Sequence, residues 1–201
     1  MEKNMVCDMY SGICKPSEEN EIETINFDVS APNLTLYYVT DPMCSHCWAF
    51  EPTLNKLLVQ YGHLFNFQTI DVDSILNIAD SDIGQNLLAE DFNLVSQLGV
   101  RGFPTIVIVN KDNQGTKIVG ARSLETYIDA LEKLDTSTTI EPNPLPKFSL
   151  YLNEQSSLFS KEIEVMYDIE EKNVPNFIEK DLDKSKYIIS NILGENYYEA
   201  K

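Results

Sequence analysis

Two cysteines separated by two residues, Cys44 and Cys47, lie in the stretch Asp41-Pro42-Met43-Cys44-Ser45-His46-Cys47-Trp48. At the start of a helix, thiols at this spacing can close a small disulfide ring. The helix start leaves backbone N–H groups unpaired and carries a partial positive charge, and both favour the thiolate of the first cysteine. Cys44 is therefore read as the exposed nucleophile, and Cys47, one turn further in, as the more buried thiol that resolves a mixed disulfide. A protonated His46 would add positive charge beside Cys44, whereas the Asp41 carboxylate would oppose it. The pair is expected to be more oxidising than one enclosing Gly-Pro, because a lower thiol pKa goes with a stronger oxidant. This chemistry belongs to sulfur, so no cofactor and no metal are called for.

A second pair, Cys7 and Cys14, brackets a six-residue gap containing Gly12, whose backbone freedom eases a chain reversal. Three readings of it stand open: exchange with Cys44 and Cys47, a zinc site sharing all four thiolates, or a flexible tail with incidental cysteines.

The elements that must hold the first pair are legible around it. Leu34-Thr35-Leu36-Tyr37-Tyr38-Val39 is nearly continuous in apolar and β-forming residues, as a buried central strand requires. Asp41 and Pro42 read as an N-cap and first helical residue. The following helix is expected to bury Trp48, Phe50, Leu54, Leu57, Leu58 and Tyr61, to carry Pro52 inside it and to stop at Gly62. A strand from Phe65 to Val72, a polar stretch and a helix ending at Gly99 come next. Gly102-Phe103-Pro104-Thr105 then leads into the strand Ile106 to Val109, a turn and a returning strand, Thr116 to Val119. Gly120 reads as a bulge, and Ser123 caps a helix carrying Leu124, Tyr127, Ile128, Leu131 and Leu134.

The expected divisions are an irregular segment over 1–33, an α/β domain of order β-α-β-α-β-β-α over 34–134, a Pro-rich linker over 135–147, and a small C-terminal module over 148–201. The module's short helical patterns and closing hairpin give the outline of a winged helix. The 201 residues carry 32 acids against 15 bases, a net charge of −17, which argues against nucleic acid or an anionic membrane as partner. No run approaches the length of a membrane span, and the polar start lacks a signal-peptide core, so a cytoplasmic location is the expectation.

The strand, the Cys-x-x-Cys at a helix start, Pro52 five residues after Cys47 and the later Gly-Phe-Pro-Thr resemble the thioredoxin fold. His46 and the run Asp-Pro-Met-Cys-Ser-His-Cys-Trp-Ala-Phe-Glu-Pro resemble its DsbA-like branch, with predicted DsbA-family dithiol–disulfide isomerases and the YjbH (SpxH) adaptor group the nearest in pattern. The resemblance implies a thiol–disulfide oxidoreductase or isomerase acting on protein or small-molecule thiols and disulfides. It implies equally an adaptor that binds a client for ATP-dependent proteolysis, its cysteines serving as redox sensor. It makes Pro104 a cis-proline facing the disulfide and places Gly102 and Phe103 at the substrate surface. Two departures accompany it. The helical insertion of the DsbA-like branch is shortened to about 74–85, and Tyr38 stands where many relatives hold a buried acid. Proton transfer to Cys47 is then left to water, Glu51 or Asp41. Read alone, Glu51 is a solvated helix residue.

Overall fold

Strand β3 (Leu34–Thr40) is buried from Leu34 to Val39 and organises the first of two structural units. The computed structural model describes residues 32–41, 43–70 and 93–201, together with the backbone of 5–7, 13–16 and 71. Pro42, the shortened insertion and the start of the second expected helix lie outside the described residues. From β3 the chain enters helix α1 (Ser45–Tyr61) and returns as β4 (Phe65–Asp71), which pairs in parallel with β3 in the register Leu34↔Phe65. A parallel neighbour requires such a crossover, so α1 is fixed against the sheet with its first turn at the end of β3.

Strand β5 (Thr105–Asn110) pairs antiparallel with the other edge of β3, and β6 (Gly115–Val119) pairs antiparallel with β5. The segment before Leu34, expected to be irregular, contributes two short strands, β1 (Met5–Cys7) and β2 (Ile13–Pro16), which extend the sheet beyond β6. The strand order is β1-β2-β6-β5-β3-β4. Side chains alternate across the sheet. Tyr37, Val39, Ile70 and Val107 form one buried cluster with Leu94, Val95 and Leu98 from a helix at 93–97, here α2. On the opposite side, Tyr38 meets Phe50 of α1, and Phe50 meets Tyr127 of α3 (Leu124–Leu134), with ring centroids 5.8 and 5.3 Å apart. Gly99, at φ +61°, closes α2 in the left-handed conformation that a glycine adopts without a Cβ clash. These elements realise the expected mixed α/β, thioredoxin-like sheet.

Two local expectations change. Ser123 stands at the N-cap of α3, but its hydroxyl contacts Thr126 Oγ1 at 3.4 Å and makes no cap bond to the backbone. Gly120, at φ +78°, follows β6 instead of bulging it, and its N–H donates to the Pro104 carbonyl at 2.8 Å.

The second unit comprises Pro52–Gln60 of α1 and Pro142–Lys201. Helices α4 (Phe148–Gln155), α5 (Ser160–Tyr167) and α6 (Val174–Asp181) pack with an antiparallel sheet of order β7-β9-β8. Its strands are β7 (Ser157–Phe159), β8 (Tyr187–Ile192) and β9 (Glu195–Ala200). Its core joins Phe148, Tyr151, Leu152, Leu158, Ile163 and Met166 to Val174, Ile178, Tyr187 and Tyr198, with Val59 packed against them. A buried lysine, Lys56, donates to the Val165 carbonyl at 3.0 Å and pairs with Asp168 Oδ1 at 2.6 Å, closing the C-terminus of α5.

Candidate redox site

The local chain explains how the motif is presented. After β3, Asp41 Oδ1 accepts from Met43 N–H at 2.7 Å, and the Asp41 carbonyl accepts from Cys44 N–H at 3.0 Å. The Cys44 carbonyl then accepts from the N–H groups of Cys47 (3.0 Å) and Trp48 (3.3 Å), and α1 begins at Ser45. Cys44 is therefore the N-cap itself, in place of the expected Asp41, whose side chain closes the preceding turn.

This position determines the electrostatics. The backbone N–H groups of Cys47 and His46 donate to Cys44 Sγ and lower its pKa, with Asp41 opposing as a nearby negative charge. His46 acts here through its backbone, and its ring is exposed. Cys47 is 1% exposed, and burial pushes its thiol up against hydrogen bonds from the Thr40 hydroxyl and Asp41 N–H. One turn of helix thus separates an accessible thiol that favours the thiolate from a buried one that favours the proton. Both are free thiols in this structure.

The expected opposing loop is there as well. Cys44 Sγ lies 3.9 Å from the Phe103 carbonyl, and the Phe103–Pro104 peptide is cis. Thr105 Oγ1 donates to the Gly102 carbonyl at 2.7 Å, and Lys117 Nζ donates to the Gly99 carbonyl at 2.6 Å. Phe103 and Gly102 are half-buried, so part of each meets solvent beside Cys44.

Residues 37–82 match a family model described as thioredoxin. The chain carries a thioredoxin-like domain. In sequence it is similar to the ClpXP adapter protein SpxH of Bacillus cereus, at 26% identity over 71% of this chain and 53% of that protein. It is similar also to that of Shouchella clausii, at 42% over 32% of this chain and 20% of that protein. The chain spans about half the length of the first and less of the second. Among solved structures, mitochondrial thioredoxin 3 from Saccharomyces cerevisiae aligns at 20% identity, covering 51% of this chain and 80% of that one, with a TM-score of 0.39. No helix among the described residues is long and apolar enough to cross a membrane.

Two readings change within the thioredoxin-like domain. Trp48, expected in the core, is 69% exposed, and Met43 beside Cys44 is 84% exposed. The buried stripe of α1 runs through Cys47, Phe50, Leu54, Leu57 and Tyr61, a spacing of three and four that leaves Trp48 on the next stripe. Glu51, taken for a solvated residue, accepts a hydrogen bond from Tyr38 Oη at 2.9 Å. Its place four residues after Cys47, on the same helix face, was the available signal.

The Cys7 and Cys14 backbones are direct cross-strand partners, with Cys14 also opposite Gly115 of β6. Gly115 pairs with Val109, and Val109 with Thr35. Cys14 therefore lies three strands across and about five residues back from the end of β3. At ordinary strand spacing and rise its backbone is roughly 20 Å from the Cys44 motif. That separation does not allow one zinc ion to take all four thiolates, since each Zn–S bond spans only about 2.3 Å.

Proposed function

We propose that this chain catalyses thiol–disulfide exchange on protein substrates, with Cys44 as nucleophile and Cys47 as resolving thiol. The observation that carries the reading is the contrast between them: Cys44, partly exposed, holds a lowered pKa over the helix N-terminus, while Cys47 is buried with a raised one. The Cys44 thiolate attacks one sulfur of a substrate disulfide. The substrate S–S bond breaks, and the displaced substrate thiolate leaves with its electron pair. Cys47, once deprotonated, attacks Cys44 Sγ, closes the Cys44–Cys47 disulfide and expels the second substrate thiolate. The protein loses two electrons and the substrate gains them; the reverse order oxidises a substrate dithiol. His46 supports the Cys44 thiolate through its backbone N–H. Pro104, Phe103 and Gly102 form the wall the substrate chain meets, and Met43 and Trp48 add apolar surface suited to an unfolded or extended protein segment.

Insulin reduction and oxidative refolding of reduced ribonuclease, measured on the wild type and Cys44→Ser, test this directly. Activity in the wild type and its loss in Cys44→Ser support exchange. Equal, negligible rates in both move the function to a second reading, an adaptor that binds a client protein for ATP-dependent proteolysis with its cysteines as redox sensor. The likeness to SpxH adapters favours that reading. So does the apolar hairpin of the second unit, where Ile188, Ile189, Ile192 and a fully exposed Leu193 meet solvent.

A further inference from the structure

Cys7 and Cys14 take no part in the site around Cys44, yet their own placement carries chemistry. Strands β1 and β2 run antiparallel in the register Met5↔Pro16, Val6↔Lys15 and Cys7↔Cys14. Residues directly opposite on neighbouring antiparallel strands share a face of the sheet, with α-carbons about 4.5 to 5.5 Å apart. A disulfide asks for α-carbons about 4.4 to 6.8 Å apart, so the backbone register alone brings the two cysteines within bonding range. A slip of one residue would turn one of them to the opposite face, so the pairing itself, and not the sequence spacing, sets this match. On its other side Cys14 lies opposite Gly115 of β6, a residue that brings no side chain to that face. In the order β1-β2-β6-β5-β3-β4 the pair stands at the sheet edge, with β6 and β5 between it and β3. The roughly 20 Å to the Cys44 motif rules out exchange between the two pairs within one chain.

We propose that Cys7 and Cys14 form a second dithiol–disulfide site, separate from Cys44 and Cys47, which closes on oxidation and staples the β1–β2 hairpin at the sheet edge. The oxidant is a low-molecular-weight disulfide. One thiolate of the pair attacks a sulfur of it, the S–S bond breaks, and one small thiolate leaves with its electron pair. The other thiolate of the pair then attacks the cysteine sulfur of the mixed disulfide, closes the Cys7–Cys14 bond and expels the second small thiolate. The two thiol protons pass to the two released thiolates. The pair loses two electrons, and the small disulfide gains them. The hairpin meets β6 through Ile13↔Thr116 and Cys14↔Gly115, so the new bond fastens the chain at that junction. Neither Cys44 nor Cys47 is needed, so the site stands whether or not the first pair catalyses exchange.

The test equilibrates the full wild-type chain with oxidised and reduced glutathione, quenches by alkylation and cleaves after glutamate. Glu2 and Glu18 bound a segment holding Cys7 and Cys14, and Glu23 and Glu51 bound one holding Cys44 and Cys47. Mass spectrometry therefore reads each pair by itself. The 3–18 segment is expected to lose two hydrogens, and the ratio of closed to open form gives the effective concentration of one thiol at the other. In an unfolded chain a gap of six residues sets that concentration on the order of millimolar. Strand pairing should raise it about tenfold or more above the value measured in urea. Catalysis by Cys44 would change the rate of closure and not this equilibrium. Equal values in native buffer and in urea would overturn the proposal, because two incidental thiols on a flexible tail give that result. A 3–18 segment joined by a disulfide to the 24–51 segment, or carrying glutathione on both cysteines, would overturn it equally.

Discussion

Polar groups within the two units do different work. In the first unit, the N–H groups at the start of α1 face a reactive sulfur, Cys44 Sγ, and the hydrogen bond from Tyr38 to Glu51 lies on the helix face that carries Cys47. In the second, the polar groups close chain ends: Lys56 on the end of α5, Asp181 accepting from Ser149 N–H at 2.8 Å, and Glu162 accepting from Phe159 N–H at 2.7 Å. Burial of a polar side chain is therefore no sign of chemistry by itself. What separates the two units is whether the partner is a nucleophile or an unpaired backbone group.

The comparison can be broken at its strongest point first. Cys44→Ser should abolish disulfide exchange while leaving the thermal midpoint within a degree or two of the wild type, read by insulin turbidity and calorimetry. Next in size, Lys56→Met leaves the Val165 carbonyl without its donor inside the second unit. It should cost about 2 kcal/mol in denaturant unfolding, with no change in Cys44 alkylation rate. A changed alkylation rate would erase the division of labour between the units.

Asp135, at the C-cap of α3, extends the structural role into the first unit. Its carboxylate accepts from Asn33 Nδ2, from the N–H and hydroxyl of Ser137 and from those of Thr138, at 2.6 to 3.2 Å. The Ser137 and Thr138 hydroxyls above all hold it well below the usual carboxylate range. A pKa lowered in the folded state stabilises the fold above the unfolded value, near 4, and the contribution fades as pH falls through the lowered one. Asp135→Asn should cost about 1.5 kcal/mol at pH 7 and flatten the loss of stability below about pH 4, followed by urea unfolding across pH. The smallest effect belongs to Asp41, whose charge raises the Cys44 pKa. Asp41→Asn keeps an acceptor for Met43 N–H and should speed Cys44 alkylation at pH 6 about twofold, an exposed-charge effect.

The parts of this architecture that sequence made legible are those where one residue type at one spacing permits few structures. The β3 run, the Cys-x-x-Cys and the Gly-Phe-Pro-Thr loop are of that kind. Trp48 misled because its hydrophobicity was weighed above its helical phase; the Cys47, Phe50, Leu54, Leu57, Tyr61 stripe already excluded it. The cap moved from Asp41 to Cys44 because an Asp side chain can close a turn as readily as cap a helix. The Tyr38–Glu51 bond joins a strand residue to a helix residue across the fold, and only the placing of α1 on the sheet creates it. The β1 and β2 strands are three and four residues long and carry no alternation that would separate them from loop.

The central claim is that one helical turn drives two thiols apart in proton affinity. Quantitative alkylation of the Cys7→Ser, Cys14→Ser chain across pH 4 to 10, with each motif peptide resolved by mass spectrometry, measures it directly. Cys44 is predicted to titrate below an ordinary thiol, which ionises near 8.5, and Cys47 above it. A Cys44 titration at or above that value, or Cys47 reacting at the lower pH, would contradict the account.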